Sequence, residues 1–180
     1  MILTPTVQKF VLHWGEMGTR WGVNRTVAQI HALLYLSPSP LCADDMVDAL
    51  KVARSNVSNS VRELEMQGLA QRSHILGDRR DHYTTHTDIW ELFKVIAEER
   101  KKREIDPTLE MLRQCVEEMD ADDETRGATK LRIRQMQEFL DQFSNWYTDI
   151  ARLPPPVLRR LVVMGAKIAK LIPDRQDDKK

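Results

Sequence analysis

Proline and glycine cut this chain into short lengths, and that punctuation limits its folds more than any other feature. Ser37-Pro38-Ser39-Pro40 stops the helix before it, because proline lacks the N–H a helix uses and clashes with the preceding turn. Gly68 and Gly77 mark further stops, and Pro154-Pro155-Pro156 a last one. Between the stops, apolar residues recur at spacings of three and four, the period of an amphipathic helix. Val7, Phe10, Val11, Trp14, Met17 and Trp21 predict a helix over residues 4–19. Asn24 is placed to cap a second helix, whose stripe is Val27, Ile30 and Leu34. A short third helix over 43–50 has Asp44 and Asp45 near its positive end, and a fourth over 54–67 is closed by Gly68.

Extended runs at 69–76 and 82–86 flank Gly77-Asp78-Arg79-Arg80-Asp81 and predict a β-hairpin. Ile89, Trp90, Leu92, Phe93 and Ile96 then begin a helix that runs into the charged stretch 98–104. Asp106-Pro107 reads as a cap followed by proline at the first helical position, so the helix restarts or kinks there, and Leu109, Leu112, Val116 and Met119 continue the stripe. Beyond the acidic loop 117–124, Met136, Phe139, Phe143, Trp146, Ile150 and Leu153 repeat as in a helix packed along another helix. A final helix over 157–172 is expected to bury Leu158, Leu161, Val162, Gly165, Ile168 and Ile172 and to expose Arg159, Arg160, Lys167 and Lys170.

Composition narrows the class. At 180 residues, 42% apolar and 30% charged, the chain can form one compact domain with a helical extension. No run approaches the roughly 18 to 20 apolar residues of a membrane span, and the opening Met1-Ile2-Leu3-Thr4-Pro5 lacks the basic-then-apolar order of a secretion signal. Cys42 and Cys115 lie far apart and form no CxxC pair, so reduced thiols and a cytoplasmic location are expected. The formal net charge of zero weighs against a uniformly basic nucleic-acid binder. Its distribution is uneven. Lys51, Arg54, Arg62, Arg72, Arg79 and Arg80 cluster against Glu63, Glu65, Asp78 and Asp81, while the acidic weight sits at 117–124.

The fourth helix carries the functional signal. At 100° per residue, Val57, Val61 and Leu64 fall within a narrow arc, Ser55, Asn59 and Arg62 point the opposite way, and Asn56 and Ser58 lie on the flanks. A plain solvent-exposed face is usually Glu, Lys and Gln, since Ser and Asn are weaker helix formers. Short polar groups and an arginine on a helix seated by valines are what a major groove accepts. The hairpin adds Arg79 and Arg80 at a loop tip, suited to a narrow, electronegative minor groove or its phosphates. Asp78 and Arg80 can equally pair to stiffen the turn.

Taken together, Asp44-Asp45-Met46 to Leu50, Ala53-Arg54-Ser55-Asn56-Val57-Ser58-Asn59-Ser60, Arg62-Glu63-Leu64-Glu65, Gly68-Leu69 and Gly77-Asp78-Arg79-Arg80-Asp81-His82 resemble MarR-type winged-helix regulators. With Trp14-Gly15-Glu16-Met17-Gly18, the likeness is closer to the GbsR branch and covers about residues 5–115. Cys42 and Ala53 depart from it, standing where these families often place a hydroxyl cap. The resemblance implies a mostly α fold with a small β-hairpin wing. A winged helix-turn-helix DNA-binding domain is expected over 22–87, a helical dimerisation region over 1–21 and 88–173, and a charged tail over 174–180. It further implies a homodimer on double-stranded DNA that regulates transcription, with repression the expected sign and a small-molecule effector as control. The DNA-binding residues expected are Arg54, Ser55, Asn56, Ser58, Asn59, Arg62, Arg79 and Arg80; no effector site is assigned. A winged-helix module that docks protein rather than DNA is the competing reading.

Other constellations are weaker. Trp14, Trp21, Trp90 and Trp146, with Tyr35 and Tyr147, could cage a quaternary ammonium ligand, although aromatics on amphipathic helices more often pack in cores or interfaces. His74, His82 and His86 lie at the hairpin without a cysteine or carboxylate to complete a tetrahedral site, so no metal or cofactor is expected. Cys42 is read as a small buried residue in preference to a redox thiol. The run Arg100-Lys101-Lys102-Arg103 is read as a solvated face as readily as a phosphate contact. The chain has no GxSxG, P-loop, GxGxxG or HExxH motif, and an enzyme is not expected.

Overall fold

The computed structural model describes residues 3–120, 125–165 and 167. It divides the chain into two compact units, Met1–Glu99 and Arg100–Lys180.

In the first unit, α1 (Pro5–Arg20) is capped by Thr4, whose hydroxyl accepts from the Val7 N–H, with Pro5 at the first helical position. Asn24 caps α2 (Arg25–Leu36), its Oδ1 accepting from Thr26 N–H at 2.8 Å. A two-residue strand, β1 (Leu41–Cys42), leads into α3 (Ala43–Leu50). Cys42 brings no hydroxyl to that helix start, but the Asp45 carboxylate accepts from the Cys42 N–H at 2.8 Å and satisfies a donor there. Lys51 turns the chain in the left-handed region, φ 54°, and α4 (Arg54–Met66) follows at once. The hairpin strands are β2 (Gln71–Ser73) and β3 (His82–Thr84), shorter than the predicted runs, and α5 (Ile89–Arg100) comes next.

The sheet has a strand the sequence reading lacked. Its order is β1-β3-β2, antiparallel throughout, with Leu41 opposite Tyr83 and Arg72 opposite Tyr83 on the other side. Two residues show no alternation that a period of two could register.

The core centres on α2. Every residue from Val27 to Leu34 is buried, Gln29 and His31 included, and Ile30 and Leu33 are fully enclosed. The predicted stripe of Val27, Ile30 and Leu34 was therefore too narrow. This helix has protein on all sides. Two glycines explain how α1 comes so close. A Cβ on Gly18 would collide with the Ala28 methyl, and one on Gly15 would lie 2.6 Å from Gln29 Cγ. Val57, Val61 and Leu64 of α4, Met46 of α3 and Leu92 of α5 complete the core.

The second unit opens on a π-helical turn (Lys101–Ile105) leading into α6 (Asp106–Asp120). Asp106 has helical dihedrals, φ −61° and ψ −43°, so it is not the cap the Asp-Pro pair suggested. The wide turn absorbs the proline, whose missing donor would break an ordinary helical ladder. Lys101 Nζ holds Asp106 Oδ1 at 2.6 Å across it. Arg113 of α6 pairs with Asp141 of α7 (Gly127–Ala151) at 2.6 Å. The final helix, α8 (Pro155–Met164), starts two residues before the expected 157, since proline is tolerated in a first turn. It ends at Gly165, φ 48°, with Leu158 buried but Val162 65% exposed. The predicted positions Ile168, Lys170 and Ile172, the tail 174–180 and part of the acidic loop lie outside the described residues. Among the described residues no helix is long and apolar enough to cross a membrane.

Candidate nucleic-acid interface

Helices α3 and α4 stand as a helix-turn-helix, separated only by Lys51-Val52-Ala53. Ala53 offers no side-chain cap, yet its carbonyl accepts from Asn56 and Val57 N–H at 3.0 and 3.2 Å, so the helix still begins at Arg54. Val57, Val61 and Leu64 are at most 3% exposed and fasten α4 to the core. Ser60 is buried with them, whereas Arg54, Ser55, Asn56, Ser58, Asn59 and Arg62 are all exposed. The helix thus has the two chemically distinct faces expected of it. Asn56, Asn59, Ser60 and Glu63 also line one wall of an open polar cleft of about 210 Å³, opposite Asn24 and Thr26 at the start of α2.

The wing loop is stiffened from within. Asp78 N–H donates to Ile75 O at 3.0 Å, and Gly77 supplies the left-handed φ of 87°. Arg80 grips Asp78 through Nε–H to Oδ1 at 3.0 Å and Nη2–H to Oδ2 at 2.5 Å, and its backbone N–H adds a third bond to Oδ1. These bonds hold the Asp78 carboxyl well below the usual carboxylate range and raise the guanidinium pKa further. His82, buried under the loop, has Nδ1 3.0 Å from Arg80 O and Nε2 3.5 Å from Asp78. The stiffening pair is therefore formed, while Arg79 and Arg80 both remain exposed.

Two partners were not recognised from the sequence. Asp44, in the first turn of α3, pairs with Arg54 and also lies 3.9 Å from Arg80, so one carboxylate serves both the start of α4 and the base of the wing. Arg72 reaches Glu65 of α4 at 3.3 Å and Asp81 at 3.2 Å and lies over the Tyr83 ring, 5.7 Å from its centroid. Arg62 and Arg79, by contrast, have no ion-pair partner among the described residues.

Elsewhere Phe10 stacks on Trp14 at 5.5 Å and Trp21 meets Trp14 edge-on at 6.0 Å, while in the second unit Trp146 pairs with Phe143 at 5.8 Å. Among the described residues no three His, Cys, Asp or Glu side chains group as metal ligands. Cys42 is buried.

A short helix pair, a polar outward helix and a three-stranded wing define a winged helix-turn-helix domain. Comparison with known proteins places that domain more closely. Residues 21–81 match the model of the MarR family, so this stretch is similar to a MarR-family domain. It is 18% identical over 154 residues to a Bacillus subtilis (strain 168) protein named "Putative HTH-type transcriptional regulator YvaV", covering 84% of this chain and 87% of that protein. A crystal structure described as a transcriptional regulator shares the fold, with a TM-score of 0.66 at 19% identity over 82% of this chain and 96% of the other. The transcriptional regulator Tm0710 from Thermotoga maritima aligns over 78% of this chain and 92% of its own at 17% identity, but its TM-score of 0.38 is too low to inform the fold.

Proposed function

We propose that the protein is a homodimeric, sequence-specific DNA-binding repressor of transcription, cytoplasmic and without catalytic activity. In this reading α4 enters the major groove with Arg54, Ser55, Asn56, Ser58, Asn59 and Arg62, and the wing carries Arg79 and Arg80 to the minor groove or its phosphates. Residues 22–87 bind DNA, and 1–21 with 88–173 dimerise in the manner of the GbsR branch. A small-molecule effector controls the equilibrium.

One observation carries the proposal: the weak helix formers of α4 lie outward on a helix locked down by Val57, Val61 and Leu64. The name of the Bacillus subtilis relative, an HTH-type transcriptional regulator, supports the same reading. Dimerisation is supported by α7, whose Met136, Phe139 and Trp146 are 54%, 61% and 56% exposed despite their regular spacing.

Fluorescence anisotropy of the full chain on DNA from its own upstream region, against a scrambled duplex at equal salt, tests the reading. The upstream duplex is expected to bind at least about a thousandfold tighter. Equal affinity for both overturns sequence-specific regulation and favours a winged helix that docks protein. A promoter–reporter fusion checks the sign, with repression expected to lift when the gene is deleted.

A further inference from the structure

The wing carries a feature that charge does not explain. Turn tips are normally built from Gly, Asn, Asp and Ser, yet here Ile75 is 42% exposed and Leu76 104% exposed, the highest value of any large apolar residue described. Single exposed leucines are ordinary on protein surfaces; the position and neighbours of this one set it apart. It sits on a hairpin loop held by the Asp78-to-Ile75 bond, the left-handed Gly77 and the Arg80–Asp78 clasp. It therefore projects from a preorganised turn.

The guanidinium groups of the loop also have separate duties. Arg80 is folded back onto Asp78 and toward Asp44 at the base of the wing, where it acts as a strut and, still exposed, keeps its reach to the phosphates. Arg79 is exposed and without an ion-pair partner among the described residues. Because Asp44 also pairs with Arg54, the base of the wing lies beside the start of α4. With α4 in a major groove, the loop is carried along the duplex toward the neighbouring minor groove. There a guanidinium meets the concentrated negative potential, and an aliphatic side chain can insert between base steps, partly unstack them and kink the duplex.

We infer that Leu76 is an apolar wedge that the wing drives into the DNA minor groove, with Arg79 as the cation beside it and Arg80 as the strut behind. The inference rests on the DNA-binding reading above and adds a deformation step to it. It assigns the wing a preference for pyrimidine–purine steps, TA and CA/TG, which unstack most readily.

The test uses the full chain and duplexes that the wild type selects from a random 30-base-pair pool. Bend angle is read by energy transfer between dyes on the duplex ends. The wild type is expected to bend the selected duplex by about 20° to 90°. Leu76→Ala and Leu76→Ser are expected to remove at least about half of the bend, and Leu76→Met to retain it, since a long apolar side chain still reaches the stack. Replacing the step under the wing by a stiff A-tract should weaken the wild type about tenfold and Leu76→Ser less than about twofold. A selected duplex that stays straight, or bends equally with Leu76→Ser, overturns the wedge alone. A wild type that enriches no duplex overturns the DNA-binding reading and the wedge together.

Discussion

Acidification should destabilise the first unit through one buried imidazole. His31 is 5% exposed in the middle of α2. Its Nε2 lies 3.4 Å from Thr85 Oγ1, whose only proton is given to Leu69 O at 2.7 Å, so the hydroxyl is left to accept and the imidazole must donate. Burial, and secondarily the charge of His86, lower the His31 pKa from 6.5 to about 4. The neutral form is thus favoured in the fold, while the unfolded chain takes up a proton near 6.5. The His31 contribution to stability is present above pH 6.5, is lost as pH falls through the window from 6.5 to about 4, and changes little further below it. Linkage over that window gives a loss of about 1.4 kcal/mol at pH 5.5 and about 3 kcal/mol at pH 4. Urea melts of the wild type and His31→Gln at pH 7.5, 5.5 and 4 isolate the effect, because glutamine can still donate to Thr85 and does not titrate. The gap between the two proteins should shift by those amounts as pH falls. Parallel pH profiles would refute the assignment.

Three further outcomes are expected. Gly18→Ala should destabilise the first unit by about 1 to 3 kcal/mol in thermal or urea melts, since the new methyl collides with the short, inflexible Ala28 methyl; no change would mean that α1 shifts freely. Asp45→Ala should cost about 0.5 to 2 kcal/mol by removing the acceptor for the Cys42 N–H, and a neutral effect in the same melts would deny the cap its importance. On DNA, Arg62→Ala should relax sequence preference by about 1 to 3 kcal/mol per lost base contact, whereas Arg79→Ala should weaken all sequences evenly and reduce the salt slope by about one. The reverse pattern in anisotropy titrations would contradict the assigned roles.

Much of the winged helix was legible because it is built from local signals. The bounds of α3, the cap Asn24, the glycine stop at Gly68 and the inward valines of α4 all follow from residues within a turn or two of one another. What escaped depends on distance along the chain. Strand β1 exists only because Leu41 and Cys42 find Tyr83 and His82 some forty residues on. Asp44 read as a helix-end charge, and nothing near it announced that Arg54 and Arg80 would both come to it. The Asp106-Pro107 pair carried a true local signal that a competing one overruled, since a π-helical turn can absorb a proline without stopping the helix. Of the wing arginines, Arg80 had a local partner already legible in Asp78, and that pair is formed, leaving Arg80 occupied and Arg79 open.

Helix α2 meets protein around its whole circumference, and α1, α4 and the sheet all pack against it. Prising away α1, α4 or the sheet uncovers α2, which carries the fully enclosed Ile30 and Leu33. Melting of this part of the molecule is then expected as a single event, with circular dichroism and the fluorescence of Trp14 disappearing in step.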